Sequence, residues 1–459
     1  MAAKGSCEFC ACVTKACLHT WRKTLDAQNH AQEWRKNMSE QRSLIVGFDL
    51  CERDSQICCY NPKTFEAESI CMTSDETKYL IPTVLGVKEK TKEWVYGEEA
   101  FSFSEAGTGV LIEGLLSKVI YNKETEIYGV SFKPEALLEK YLRKCLQLLK
   151  TYYPTNSILK LVVTIKESSE SLKEGIYRVL NNLGIGKDRV WIQSHSQSYQ
   201  YYALYQSKEL WMNDVGLFDF DEQGLIYQQI TIDRKTHPFL VGITEKNFQD
   251  IMSFQALEEI KDGDKLEYLF GNLAKKVLHK QIVSTIYITG KGFEGSWADG
   301  VLKELCVGRR IFKGQNLYVK GACYAAKELT GEHKLEDFLL LGSEMITSNF
   351  FINGYFDTKP AEVVLAKAAT PWYEAEEKLD LILDDINEIT VYRKDLLKHE
   401  TVSYSLSLEG LPNRPVKTTR VEVRIKFMDK NTAILSVKDK GFGGFFPSSN
   451  RIWEKEISF

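Results

Sequence analysis

The residues best placed to do chemistry sit at two turns. Val46-Gly-Phe-Asp49-Leu-Cys51-Glu52-Arg53 is an apolar run ending in an aspartate and a short turn, the shape of a phosphate-binding hairpin. It returns as Val215-Gly-Leu-Phe-Asp219-Phe-Asp221-Glu222-Gln223, aligned on Phe-Asp-apolar-x-Glu. Phosphate is held by bare N–H groups on a glycine-rich turn. Here Cys51, Glu52 and Arg53 occupy one turn, and Asp221, Glu222 and Gln223 the other. A third segment, Ile286-Tyr-Ile-Thr-Gly290-Lys291-Gly292, ends an apolar strand in Gly-x-Gly. It predicts a backbone able to approach a ligand, with a helix N-terminus beside it.

Elsewhere the reactive residue types are scattered. Four of the eleven cysteines, Cys7, Cys10, Cys12 and Cys17, crowd the start of the chain near His19. Cys7-x-x-Cys10 has zinc-ligand spacing, but no second spaced pair accompanies it, so zinc is not the expected outcome. Met38-Ser-Glu-Gln-Arg-Ser leads directly into the first strand, and residues 1–42 are expected to be an over-extended start or a disordered extension. The seven histidines form no recognisable pair with a nucleophile, which argues against cysteine or serine hydrolase chemistry. A net charge of -4 and a pI near 6.1 give no electrostatic reason for nucleic acid or an anionic membrane as partner. No apolar run is long enough to span a bilayer and no leader is recognisable, so the expected location is the cytoplasm.

The elements that must position the turns alternate between strand and helix, the pattern of an α/β protein. Residues 44–50, 56–60 and 69–72 predict a β-meander. Residues 132–153 predict an amphipathic helix with Leu138, Tyr141, Leu142, Cys145, Leu148 and Leu149 on one face. A strand (159–165), a helix (168–183), a strand (189–193), a helix (about 197–205) and a strand (225–232) follow. A helical stretch is expected from there to about 281. The repeated Asp-ended hairpin implies two similar lobes facing one another.

The last hundred or so residues change character. Period-two alternation at 402–408, 420–427 and 433–438, with turn residues between, predicts an all-β domain. Gly441-Phe-Gly-Gly-Phe-Phe446 and Trp453 either complete its core, the favoured expectation, or form an exposed patch for partners.

Taken in order, these segments resemble the actin, sugar-kinase and heat-shock ATPase superfamily, and most closely a divergent, shortened DnaK-type heat-shock chaperone. The resemblance runs from about residue 43 to the end. Ile81-Pro-Thr-Val-Leu-Gly followed by Val95-Tyr-Gly-Glu-Glu-Ala100, the strand Leu161-Val-Val-Thr-Ile165 and the helix 313–326 are similar to family segments. So are Asp337-Phe-Leu-Leu-Leu341, like the family's interdomain linker, and residues 419–441, like a run of its β substrate-binding domain. The resemblance implies a two-lobed, ribonuclease H-like ATPase domain at 43–335, with lobes at about 43–205 and 213–335. It also implies a linker at 336–342 and a peptide-binding-like β-sandwich at 343–459; the family's helical lid is not expected, because the sequence stops at Phe459 straight after the β domain.

By the same resemblance, Asp49 and Asp219 are the catalytic aspartates that hold a magnesium-bound water network. Glu52, Arg53, Asp221, Gln197, Gly290, Lys291 and Gly292 fall at nucleotide-contacting positions, with ATP or ADP and Mg²⁺ as cofactors. Gln197 replaces a family glutamate and Lys291 a family glycine. Glu52, Asp221 and Glu222 either form a solvated turn surface or point inward. Pointing inward, each opposes a phosphate by ~3 kcal/mol at ~5 Å and an effective dielectric of ~20, unless magnesium or Arg53 compensates. The expected function is a pseudo-ATPase scaffold that binds other proteins or extended peptides through its β domain. A nucleotide-dependent, lidless chaperone-like ATPase and an actin-like polymer former are the alternatives.

Overall fold

The computed structural model describes residues 43–71, 79–154, 156–166, 169–254, 263–342, 344–356 and 358–459. The expectations placed on residues 1–42, including the cysteine cluster, lie outside them. The chain is mixed α/β and divides into two compact units, one of residues 43–231 and 244–335, the other of 232–243 and 336–459.

Two sheets organise the first unit. In the first, β1 (Ser43–Asp49), β2 (Asp54–Asn61) and β3 (Glu66–Ser69) form the meander. Helix α1 (Pro134–Tyr152) then leads to β4 (Ser157–Ile165), and α2 (Glu170–Asn182) to β5 (Val190–Ser194) and α3 (His195–Tyr205). The strand order is β5-β4-β1-β2-β3, with β1 parallel to β4 and antiparallel to β2. In the second sheet β6 (Asp214–Asp221) and β7 (Gly224–Asp233) form the hairpin, and after α4 (Gly263–Leu278) come β8 (Val283–Thr289) and β9 (Arg310–Lys313). Here the order β9-β8-β6-β7 repeats the same directions about β6.

β1 and β6 are each buried along nearly their whole length, which is why both read as continuous apolar runs rather than alternating ones. Helix α1 starts on Pro134, whose missing N–H costs nothing in the first turn, and packs Leu138, Tyr141, Leu142 and Cys145 against the first sheet. Helix α5 (Leu317–Lys327) crosses α3 at Gly321, where a Cβ would overlap the Ser198 carbonyl oxygen. Only glycine permits so close a crossing.

The second unit is all-β apart from its turns. Two antiparallel four-stranded sheets, built from residues 348–407 and 377–458, pack into a common core that includes Phe350, Val391, Val423 and Leu435. Arg414 and Asp439 form a bidentate ion pair at 2.8 and 2.7 Å inside this unit, both almost fully buried.

Two expectations are corrected. The stretch after Ile232 is not helical throughout: Phe239–Asn247 is a strand, because Phe-Leu-Val-Gly-Ile buries Leu240 and Val241 in extended form. The aromatics expected to complete the sandwich core do so only in part: Trp453 packs against it, whereas Phe442 and Phe445 are 42% and 93% exposed. The expected linker contains a short strand, Phe338–Leu340, paired in parallel with Phe239–Val241 inside the second unit. Among the described residues no helix is long and apolar enough to cross a membrane.

Candidate functional site

Equivalent ends of the two sheets converge on one cleft of about 340 Å³. Asp49 closes β1 opposite Thr164 of β4, and Asp219 sits near the end of β6 opposite Thr289 of β8, at matching places in the two sheets. Both carboxylates are buried, 5% and 9% exposed. The echo between the hairpins is therefore an echo in space.

A chain of contacts joins the two aspartates. His195 Nε2 lies 2.8 Å from Asp49 Oδ1, and the His195 ring stacks on Tyr318 with centroids 3.9 Å apart. The Tyr318 hydroxyl donates to Asp219 Oδ2 at 2.7 Å. Burial, then Asp221, push the Asp219 carboxyl above its usual range. Burial, then Asp219, push the Tyr318 phenol well up, so its proton stays on the hydroxyl and the bond keeps its direction.

His195 is held as the first residue of α3 by a capping box. Ser194 Oγ accepts from the Gln197 N–H at 3.3 Å, and Gln197 Oε1 accepts from the Ser194 N–H at 3.0 Å. That bond places Gln197, the expected metal-side residue. Its side chain folds back on the helix N-terminus and does not line the cleft, and His195 faces the cleft two residues earlier.

Three cations line the cleft, and each is paired with a carboxylate from the other sheet's side. Arg53 donates to Glu222 at 2.6 Å, Lys166 meets Asp221, and Lys291 meets Asp54. Burial would lower the Lys166 ammonium, but Asp219 and Asp221 together outweigh it and hold it up. Glu52 is satisfied separately, accepting from the Ser117 N–H at 3.2 Å. With Asp49, Glu52, Asp54, Asp219, Asp221 and Glu222 against three cations, the cleft carries an excess of three negative charges. Gln56 Nε2 adds a neutral cross-link to the Gln315 carbonyl at 2.8 Å, and Gln315 Nε2 donates to the Gly290 carbonyl at 3.0 Å.

The Gly-x-Gly turn is used for packing. Gly290 has φ +95°, and a Cβ there would overlap the Phe220 carbonyl and come within 2.8 Å of Asp219 Oδ1. A Cβ on Gly292 would meet the Phe220 ring. After it comes a single 3₁₀ turn, Lys291–Phe293, and the next helix begins only at Asp299, which corrects the expected helix N-terminus beside the turn.

Cys51 completes the group around Asp49. Its thiol donates to Asp49 Oδ1 at 3.3 Å and lies 3.5 Å from His195 Nε2. This is not a nucleophile relay, because both partners meet the same ring nitrogen, whereas a relay uses one nitrogen for each. Burial, then Asp49, push the Cys51 thiol well above its usual value, opposite to an activated nucleophile.

Sequence reasoning thus found Asp49, Glu52, Arg53, Asp219, Asp221, Gly290 and Lys291 at the cleft. It missed His195, Tyr318, Lys166 and Gln315. Ser194-x-x-Gln197, a capping box ahead of an aromatic helix, was the one local signal that could have flagged His195.

A search of curated proteins returns no match. Residues 345–459 match a domain of unknown function, DUF8552. Residues 66–343, more than half of the chain and most of the unit that forms the cleft, match the C-terminal model of a family of unknown function, DUF5716, and the chain belongs to that family.

Proposed function

We propose that the chain is a heat-shock-chaperone-like scaffold: an actin-like, ribonuclease H-like two-lobed unit that has lost phosphate binding, joined to a β unit that receives an extended peptide or another protein. The strand order β3-β2-β1-β4-β5 and its partial repeat about β6 support the two-lobed reading. So does the placement of Asp49 and Asp219 at matching strand ends.

One observation carries the loss of phosphate binding. Every cation in the cleft is already neutralised by a carboxylate of this chain, so a polyphosphate would meet net negative charge and would have to break ion pairs to enter. The glycines of the Gly-x-Gly turn, Gly290 and Gly292, are packed against Phe220. On the β unit, the exposed aromatics of the 441–446 loop offer apolar contact to a partner.

Calorimetric titration of ATP and ADP, with and without Mg²⁺, tests the reading. A scaffold gives no heat and no shift in thermal unfolding at millimolar nucleotide. A ligand at a hundred times its Kd would stabilise the fold by ~2.7 kcal/mol, an effect too large to miss. Micromolar binding would overturn the scaffold and favour a nucleotide-dependent, chaperone-like ATPase.

A further inference from the structure

We propose that Asp49, Cys51 and His195 bind a borderline divalent transition-metal ion such as Zn²⁺. The site is independent of whether nucleotide enters the cleft. Among the described residues, this is the one trio of His, Cys, Asp or Glu side chains whose ligand atoms lie within 4.8 Å of one another.

The geometry matches a tetrahedral ion. With metal–sulfur, metal–nitrogen and metal–oxygen bonds of ~2.3, ~2.05 and ~2.0 Å, the three ligand–ligand edges should be ~3.5 Å for S–O, ~3.6 Å for S–N and ~3.3 Å for N–O. The observed edges are 3.3 Å, 3.5 Å and 2.8 Å. Both sulfur edges already fit, and only the His195–Asp49 edge must open, by ~0.5 Å.

The donor set selects the class of ion. A thiolate, an imidazole and one carboxylate suit Zn²⁺ and its borderline neighbours, whereas Mg²⁺ and Ca²⁺ require oxygen ligands. On binding, the ion displaces the Cys51 thiol proton to solvent and takes the Nε2 lone pair of a His195 protonated at Nδ1. The ion's two positive charges, less the one negative charge of the new thiolate, offset one of the cleft's excess of three negative charges. All three ligands come from well-held positions: Asp49 from the central strand, Cys51 from the turn that follows it, and His195 from a capped helix and the Tyr318 stack. Three protein ligands leave a fourth position, which faces the 340 Å³ cleft and would hold water or an entering group.

Cobalt(II) is the probe. The full-length protein, stripped with a chelator, is titrated with Co²⁺ while the thiolate-to-cobalt charge-transfer and d–d bands are followed, and Zn²⁺ is then added as competitor. The expected result includes one equivalent of four-coordinate Co²⁺ whose sulfur band disappears in Cys51→Ser. Affinity should fall at least ~100-fold in His195→Gln. A Cys7→Ser/Cys10→Ser variant, altered only in the N-terminal cysteine cluster, should keep the band. A band that survives Cys51→Ser, or no sulfur band in the Cys7→Ser/Cys10→Ser variant, overturns the site. A second measurement uses the unaltered protein, in case the variants do not fold. Zn²⁺, but not Mg²⁺, should slow alkylation of Cys51 at least tenfold relative to half-buried Cys71 and Cys306, read by peptide mass spectrometry. Equal rates with and without Zn²⁺ overturn it as well.

Discussion

If the cleft's own carboxylates keep phosphate out, removing two of them should let it in. The perturbation is Asp221→Asn with Glu222→Gln, which preserves shape and frees Lys166 and Arg53. A phosphate charge ~5 Å from a carboxylate, at an effective dielectric of ~20, is opposed by ~3 kcal/mol. Asp221 is part-buried beside a Lys166 whose side chain is 22% exposed, and most of that repulsion survives there. Glu222 and Arg53 have side chains 45% and 59% exposed, so screening leaves their contribution below ~1 kcal/mol. Allowing for the Asp219 charge that remains, the net gain is about 2–3 kcal/mol, roughly 30- to 150-fold in affinity. Pyrophosphate titrated calorimetrically into both proteins reads this directly, with circular dichroism confirming that the variant is folded. The gain should shrink at ~0.5 M salt, where the Debye length falls to a few ångströms. A folded variant that binds pyrophosphate no better than the parent would refute the reasoning, because the carboxylates would then not be the barrier.

Three further outcomes are expected. Tyr318→Phe removes the donor to buried Asp219 and should cost about 1.5–3 kcal/mol in denaturant unfolding; an unchanged midpoint would mean the bond contributes nothing. Gly290→Ala should cost at least ~2 kcal/mol, since the left-handed φ and the overlap with Phe220 add, and a neutral result would show that the turn can relax. Arg414→Met should destabilise the second unit by ~3–5 kcal/mol by leaving Asp439 buried and unpaired. The Arg414 bonds hold the Asp439 carboxyl far below the unfolded value of ~3.9, so the pair's contribution is present above that pH and lost as pH falls below it. Acid titration of wild type against Arg414→Met/Asp439→Asn should show their stability difference narrowing below about pH 4. A difference constant with pH would contradict the assignment.

The core strands and the first unit's helices were legible because their signals are local. β1 and β6 announce themselves as apolar runs buried on both faces, and α1 by its 3.6-residue period. Phe239–Asn247 was not legible: its burial depends on neighbours far along the chain, and a short apolar run serves helix or strand equally well. The aromatic loop failed for a similar reason. Periodicity cannot say that Gly441 and Gly443, both at positive φ, bend the chain so that Phe442 and Phe445 point away from the core.

At the cleft the division is sharper. The sequence alone determined that two Asp-ended strands carry acidic, glycine-poor turns, because a strand's polarity and a turn's composition are written in consecutive residues. Only tertiary structure decided what those turns meet. His195 is 146 residues from Asp49, Tyr318 is 99 from Asp219, and Arg53 is 169 from Glu222. Nothing in the spacing of such residues along the chain encodes a contact. It arises when two similar sheets bring equivalent strand ends to one cleft, where burial and opposite charge select the partners.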